Sequence, residues 1–134
     1  VEMQNKLEEN EKKYQNLFHS NRDAILIADE NRAIIDANPA FEKLTGYSLK
    51  EIKGKKTSFI YADEKEFAVM GKQLKTNKTD NGFLKYIEYK KKSGETFIGE
   101  TSAFQLKKEN SEIYAYVGLI RDVTGKTGKN FKDK

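Results

Sequence analysis

The chain has 134 residues, no Cys, and 25 Lys and Arg against 21 Asp and Glu, which gives a net charge of +4. This length fits one domain whose core needs no disulfide, and the lack of Cys excludes thiolate nucleophiles, thiol-held metals and iron–sulfur clusters. The charge does not indicate nucleic-acid binding, because the last ten residues, with four Lys and one Asp, carry most of the excess.

The first predicted element is an N-terminal helix over residues 1–19. Met3, Leu7, Asn10, Tyr14 and Leu17 follow one another at spacings of four and three residues. This is the heptad spacing of a coiled-coil seam, in which the Asn would fix the register of the two helices. The run is shorter than the about three to four heptads that identify a coiled coil. An amphipathic helix packed on its own domain is therefore the alternative.

Two strands joined by a tight turn are predicted next. The short apolar runs Ala24–Asp29 and Ala33–Ala37 are separated by Glu30, Asn31 and Arg32. A short helix then begins, because the side chain of an Asn-Pro pair's Asn accepts free N–H groups and Pro at the first helical position needs no donor. Its sequence, PAFEKLT, ends before a Gly that tolerates the left-handed conformation.

Two further helices follow. Ser48 and Glu51 predict a capping box, in which each side chain bonds the backbone N–H of the other residue. Asp63 and Glu66 repeat the pairing and predict a longer helix that runs to about Thr76. These helices lie between the first two strands and the rest of the chain.

Three more strands are predicted over Phe83–Lys91, Glu95–Leu106 and Ile113–Val123, with polar turns between them. The order of elements predicts an α+β fold. A five-stranded antiparallel sheet carries short helices and one longer helix on one face. Residues 20–124 would form this domain, and residues 125–134 a basic, flexible tail or a truncated linker.

The sheet face toward the helices is predicted to carry small residues, because alternation along the fourth strand turns the charged Glu100 away from the helices. The small inward residues are Ala28, Gly99, Thr101, Ala103 and Gly118. The large helix residues opposite them are Phe67, Met70 and Leu74. Small residues beneath large ones predict a cavity, unless the large side chains fill the space. Both alternatives stay open on the sequence.

The other sheet face is predicted to be apolar. Ile98, Val117 and Leu119 would lie on it beside Glu100. Exposed apolar patches usually mark interaction sites, so either the N-terminal helix or a second subunit is expected to cover this one. The helix and the patch together predict a homodimer interface.

Three stretches resemble the PAS family with its PAC-type C-terminal half. They are YQNLFHSNRDAILIADENRAIIDANPAFEKLTGYSLKEIKGK, KKKSGETFIGE and YVGLIRDVT, and the resemblance runs from Tyr14 to Thr124. It implies a sensory module of histidine kinases, cyclic-di-nucleotide enzymes or chemoreceptors, which passes the state of its pocket to flanking helices. The chain departs from the family where Gly125 and Gly128 follow the closing DVT, because a continuing helix is expected there.

The resemblance also bears on cofactors. Thr57 occupies the position of the reactive cysteine of flavin-binding light sensors, and Tyr89, Gly99 and Ile120 occupy those of the flavin-holding amides. Because Thr is not nucleophilic enough to form the flavin adduct, no such photochemistry is expected. The long helix has no His to bind haem, and His19 precedes the first strand. The sequence therefore predicts no cofactor and no metal, and non-covalent flavin or haem is disfavoured.

The site residues predicted from the faces and the resemblance form two sets. The ligand pocket consists of Leu26, Ala28, Thr57, Phe67, Met70, Leu74, Tyr89, Gly99, Thr101, Gly118 and Ile120. The signal-relay and dimer set consists of Leu7, Asn10, Tyr14, Leu17, Ile98, Val117, Leu119, Arg121, Asp122 and Thr124. For the charged pair Arg121 and Asp122, a surface ion pair of small effect is the alternative.

The predicted function is that of a non-enzymatic sensory module that binds a small ligand and relays the change through its dimer. No activated nucleophile, acid–base pair or phosphate loop is present to indicate catalysis. The alternatives are a ligand-free dimerisation module and a flavin or haem sensor of redox state or gases. The predicted partners are a second copy and the output domain of a longer protein, since the chain begins with Val. It is expected to be cytoplasmic and to make no membrane contact of its own, because no apolar run approaches ~20 residues, while a longer parent protein is allowed a membrane anchor. No contact with nucleic acid is expected, because most of the basic excess lies in the last ten residues.

Overall fold

The computed structural model describes residues 18, 20–77 and 82–124. Within them, five strands form one antiparallel sheet in the order β2-β1-β5-β4-β3. The strands are β1 (Ala24–Asp29), β2 (Ile34–Ala37), β3 (Phe83–Lys90), β4 (Thr96–Lys107) and β5 (Ile113–Asp122). The predicted five-stranded antiparallel sheet is confirmed, with strand ends that differ from the prediction by one residue or not at all.

Four helical segments of the described residues lie between β2 and β3 in the chain. They are α1 (Pro39–Thr45), α2 (Leu49–Ile52), a 3₁₀ turn (Thr57–Ile60) and α3 (Glu64–Thr76). Their buried side chains join those of one sheet face in a single cluster that includes Phe41, Ile60 and Met70. The helices therefore cover one face of the sheet, as the α+β prediction requires.

All three predicted helix starts are confirmed, and two of them show the predicted capping contacts in full. The Asn38 side chain accepts from the N–H of Phe41 at the start of α1, and Gly46 ends that helix with a φ of 82°. The capping box of α2 is complete, since Ser48 and Glu51 each bond the other's backbone N–H. The capping residues thus give α1 and α2 defined ends despite their short lengths.

The third capping box is wrong in its detail. Asp63 does cap α3, but it accepts from the N–H of Lys65. The side chain of Glu66 makes no reciprocal bond among the described residues; one of its carboxylate oxygens lies 3.4 Å from Nζ of Lys85 on β3. The ammonium group of Lys85 attracts the carboxylate of Glu66, which the sequence pattern assigns to the helix cap.

The sheet has apolar side chains on both faces. The inner face belongs to the main core, in which Phe41, Ile52 and Ile87 have 1% or less of their surface exposed. The outer face carries a second cluster formed by Phe18, Ile25, Ile27, Ala115 and Val117. The predicted apolar outer face is therefore present.

The predicted seam residues Leu7, Asn10, Tyr14 and Leu17 and the tail 125–134 lie outside the described residues. Phe18 and Ser20 are helical, and Phe18 is buried. Over the part of the chain that is described, no helix is long and apolar enough to span a bilayer.

Candidate functional site

A cavity of about 50 Å³ lies between the helices and the inner face of the sheet. Strands β1, β3, β4 and β5 contribute to its walls, and so do the 3₁₀ turn and α3. The lining residues are Leu26, Ala28, Arg32, Thr57, Ile60, Tyr61, Met70, Leu74, Tyr89, Thr101, Ala103, Tyr116, Val117, Gly118 and Ile120. The sequence left two alternatives open, a cavity or a space filled by large helix side chains. Both hold in part, because a cavity is present but is small.

Nine of the eleven predicted pocket residues line this cavity, and Phe67 and Gly99 do not. Gly99 faces inward, but the ring of Tyr89 lies directly on it. A Cβ at this glycine would approach that ring to 2.6 Å and a methyl of Ile120 to 2.9 Å. Gly99 does not line the cavity because the space left by its missing side chain is occupied by the aromatic ring of Tyr89 on the neighbouring strand.

The Phe67 ring contacts Arg32 and does not line the cavity. It lies beneath the guanidinium of Arg32, with 3.9 Å between the guanidinium carbon and the ring centroid. The predicted helix face is right for Met70 and Leu74, which are buried, whereas Phe67 is only partly buried. A cation from the β1–β2 turn thus separates this ring from the cavity.

Arg32 is the main site residue that the sequence did not reveal. The sequence places it in the tight turn between β1 and β2, yet only 8% of its surface is exposed. Its φ is 67°, a left-handed conformation that non-glycine residues rarely adopt. Gly71 makes room for it, because a Cβ there would lie 2.9 Å from Nη1 of the arginine. A glycine on the core side of α3 was the one available signal.

The guanidinium of Arg32 is held by neutral groups. Nη1 donates to the backbone oxygen of Phe67, and Nη2 donates to the hydroxyl of Tyr61 at 2.8 Å. The ring of Tyr61 is 5.5 Å away, so the cation also contacts two aromatic faces. Burial lowers the pKa of Arg32, although an arginine stays protonated in proteins. The inner site therefore carries a positive charge.

Buried hydroxyls complete the polar lining. Oγ1 of Thr101 donates to the backbone oxygen of Gly99 at 3.2 Å, so the hydroxyl of Tyr89 is the donor in its 2.7 Å bond to that Oγ1. Burial raises the pKa of Tyr61 and of Tyr89, so both are neutral phenols at neutral pH. Thr57 differs, because its Oγ1 is buried and has no hydrogen-bond partner among the described residues.

The predicted relay residues of the sheet lie on its outer face or at its exit. Val117 belongs to the outer cluster, Leu119 packs against it, and Ile98 is partly buried on the same face. A groove of about 250 Å³ crosses this face. Its walls are Phe18, Asn21, Ile25, Ile27, Phe104, Leu106, Val117 and Leu119. Ile98 does not line that groove.

The charged relay residues are tied to the chain before β1 and to the end of β5. Arg121 forms an ion pair with Asp23, at 3.2 Å between Nη2 and Oδ2. Asp122 accepts from the N–H of Thr124, and the hydroxyl of Thr124 accepts from the N–H of Ile98. These contacts connect the entry and exit of the domain, and the relay role itself stays a prediction.

The sequence matches the family description "PAS domain" over residues 22–125. This chain belongs to the PAS domain family. The matched segment contains the whole sheet, the helical layer and the cavity. The predicted family membership is confirmed, and the chain is a sensory module of signal transduction.

Relatives of this PAS domain include two photoreceptors. A blue-light-activated histidine kinase of Brucella anthropi is 36% identical over 99 residues, which are 72% of this chain and 20% of the relative. A blue-light photoreceptor of Listeria innocua is 30% identical over 106 residues, or 75% of this chain and 40% of the relative. The chain thus spans less than half the length of either protein.

Solved structures share the fold. The PAS domain of a Colwellia psychrerythraea protein superposes with a TM-score of 0.76 at 23% identity, covering 84% of this chain and 96% of that one. A light-oxygen-voltage domain studied with a flavin analogue superposes with a TM-score of 0.74 at 22% identity, covering 89% and 90%. At these identities the likeness shows the fold alone.

The comparisons correct one prediction. The sequence predicts no cofactor, yet the two relatives described above are blue-light receptors. The prediction of no cofactor is therefore wrong. The lack of a cysteine excludes the covalent flavin adduct but not a bound flavin.

The residues around the cavity do not fit a flavin in the arrangement described. Pockets for ligands of comparable size measure about 300–1,000 Å³, and this one measures about 50 Å³. The ring of Tyr89 covers Gly99, and Thr57 offers a hydroxyl where covalent flavin chemistry needs a thiolate. We therefore assign no photochemical step to these residues.

Proposed function

We propose that this PAS domain senses a small ligand in the buried cavity and relays its binding to the output domain of a larger signalling protein, such as a histidine kinase, a cyclic-di-nucleotide enzyme or a chemoreceptor. The observation that carries the proposal is the unpaired Oγ1 of Thr57 in the cavity wall. A buried hydroxyl without a partner costs about 1–3 kcal/mol, so a ligand that bonds it would recover that free energy.

Strand β5 offers a direct route from the cavity to the outer face. Its side chains alternate, so Tyr116 and Ile120 pack in the inner core while Ala115 and Val117 pack in the outer cluster. A ligand can move the domain only by binding one arrangement more tightly than the other. A displacement of β5 on binding would change both faces together.

Ligand binding is tested with two matched substitutions. Ala103 lines the cavity and Ala115 lies in the outer cluster, and both are buried. We expect native mass spectrometry of the purified chain to show a bound small molecule. Ala103→Val should lose it because the added methyls occupy the cavity, whereas Ala115→Val should retain it.

The proposal would be contradicted if repeated preparations carried no bound mass and no small molecule in a metabolite panel raised the melting temperature. Equal retention of the ligand by both variants would place it outside the cavity. A ligand-free dimerisation module would then be the better description.

The outer face supports a second part of the proposal, which is homodimerisation. The walls of its apolar groove include the partly exposed Leu119 and Phe18, which lies near the end of the predicted flanking helix. In a symmetric dimer, this face of each copy would cover the same face of the other copy. Apolar patches of this kind on a protein surface usually mark sites that a partner covers.

Dimerisation is tested by placing a charge on this face. We expect Leu119→Glu to convert a dimer into a monomer in analytical ultracentrifugation, because a buried unpaired carboxylate is costly. Val69→Glu is the control, since Val69 is exposed on α3 and 45% accessible. A wild-type chain that stays monomeric, or a dimer in both variants, would contradict the proposed interface.

A flavin-bearing light sensor is the second candidate function, and the blue-light relatives favour it. It requires the cavity to open, with displacement of Tyr61, Met70 or Tyr89 from its lining. The absorbance spectrum of the purified chain after incubation with flavin mononucleotide decides between the candidates. A bound flavin spectrum would favour the light sensor.

A further inference from the structure

The cavity wall contains a positive charge, on Arg32, that no carboxylate of the described residues pairs with. Arg32 is 8% exposed, and within the described residues no Asp or Glu lies at ion-pair distance from it. Of the five N–H groups of a guanidinium, two donate to described groups, the backbone oxygen of Phe67 and the hydroxyl of Tyr61. Buried charges are normally paired, so this one indicates a missing anion.

Two hydroxyls that line the cavity with Arg32, those of Thr57 and Tyr61, have no acceptor among the described residues. The buried hydroxyl of Thr57 has no hydrogen-bond partner in the described part of the chain, and that of Tyr61 accepts from the guanidinium and has no described acceptor for its own proton. The 3₁₀ turn is bonded to the β1–β2 turn, because the N–H of Thr57 donates to the backbone oxygen of Arg32 at 3.1 Å. A guanidinium with two O–H groups matches an acceptor-only ligand with several lone pairs, which is what a carboxylate provides.

The rest of the cavity limits the size and nature of such a ligand. Leu26, Ile60, Met70 and Leu74 give it aliphatic walls. A dry cavity of roughly 150 Å³ admits benzene, and this one has about 50 Å³. A short aliphatic tail is compatible with these walls, whereas a second charged group would be left without a partner.

We propose that the ligand sensed by this domain is a small monocarboxylate of about one to three carbons, and that Arg32 selects it through its charge. This inference rests on the proposed function, since it names the ligand class of the same cavity. The carboxylate accepts from the guanidinium and from Thr57, and its alkyl part contacts the aliphatic walls.

The outside of the domain favours the approach of anions to the same residue. A surface groove of about 430 Å³ borders Arg32 on its other side. Three exposed lysines, Lys56, Lys72 and Lys75, line it against one carboxylate, Glu30. A cleft with an excess of one charge concentrates ions of the opposite charge. Because Arg32 lines both spaces, it stands between the groove and the cavity.

The first experiment compares acetate with acetamide, its neutral analogue of similar shape. Melting curves of the full chain are recorded at neutral pH and constant ionic strength, with sodium chloride as the reference. We expect acetate to raise the melting temperature in a saturable way, and acetamide and chloride to have no such effect. Formate and propionate should act as acetate does, whereas a longer acid such as hexanoate should not.

The second experiment removes the charge. Arg32→Met keeps an apolar side chain of similar length, and Arg121→Met is the matched control on the surface, where Arg121 pairs with Asp23. We expect Arg32→Met to raise the dissociation constant for acetate by about tenfold or more, the loss of a charge-assisted hydrogen bond. Arg121→Met should leave the constant unchanged.

If Arg32→Met does not fold, the comparison of acetate with acetamide still tests the charge, and Thr57→Val tests the second donor, because it removes a hydroxyl and keeps the side-chain volume. We expect a several-fold weaker acetate effect and an unchanged response to chloride. Equal affinity of wild type and Thr57→Val for acetate would overturn the assignment of this hydroxyl.

The outcomes separate this inference from the proposed function. If acetate and acetamide stabilise the chain equally, and Arg32→Met responds as wild type does, the anion inference is overturned and a ligand-binding cavity stands. If neither compound binds and native mass spectrometry shows no bound mass, both fail. A bound ligand without a carboxylate would overturn the inference alone.

Discussion

Replacement of Asn38 by Ala is expected to lower the free energy of unfolding by about 3–5 kcal/mol. The side chain of Asn38 is fully buried. Its Oδ1 accepts from the N–H groups of Ile25 and Phe41, at 2.8 and 3.0 Å. Its Nδ2 donates to the backbone oxygens of Phe18 and Asp23, both at 3.0 Å. Alanine would leave four backbone groups without these partners.

Urea denaturation measures this effect, with Asn110→Ala as the control. Asn110 also accepts a backbone N–H, that of Glu112, but at an exposed turn where water replaces it. We expect the control to change the stability by less than about 1 kcal/mol. A similar small loss for Asn38→Ala would show that its four bonds contribute no more than one exposed bond. Because Asn38 holds the chain before β1, we also expect a weaker link to the flanking segment.

The second large effect is expected from Gly99→Ala, which should destabilise the domain by about 1–3 kcal/mol. The new methyl group would lie 2.6 Å from the Tyr89 ring and 2.9 Å from a methyl of Ile120. Tyr89 is nearly fully buried and bonds Thr101, so its ring has little room to move. The substitution should also change the cavity, because all three of these neighbours line it.

Gly118→Ala is the matched control for this prediction. Gly118 lies on the same sheet face in the adjacent strand, and a Cβ there would meet its nearest heavy atom at 4.0 Å. We expect a change within about 0.5 kcal/mol, or a gain, because Gly in a strand carries an entropic cost. Denaturation midpoints of both variants give the comparison. Equal effects at the two glycines would contradict the close contact between Tyr89 and Gly99.

Local patterns predicted the framework of this domain well. Alternation along β4 correctly placed Gly99, Thr101 and Ala103 toward the helices, and the pairs Asn38-Pro39 and Ser48 with Glu51 located two helix starts. Such features depend on the residue and its close neighbours in sequence. The capping of α3 was misjudged because Lys85, distant in the chain, attracts Glu66.

The interior of the site was less predictable, because it depends on which side chains meet across the core. Arg32 lies in a turn, and only the distant Phe67, Tyr61 and Gly71 explain its burial. The ring of Tyr89 fills the space over a glycine ten residues later in the chain. The prediction of no cofactor depends on single positions such as Thr57 and Tyr89, whereas the likeness to blue-light receptors extends over most of the domain.

The alternating pattern of β5 limits how this protein can change in length. Adding one residue within the strand would reverse the faces of the residues on one side of the insertion. Inner residues such as Tyr116 and Ile120 would then point to the outer face, and outer residues such as Ala115 and Val117 to the core. An insertion in the exposed turn between Lys107 and Ile113 would disturb neither face. Relatives that keep the same architecture are therefore expected to vary in length at that turn and to conserve the length of β5.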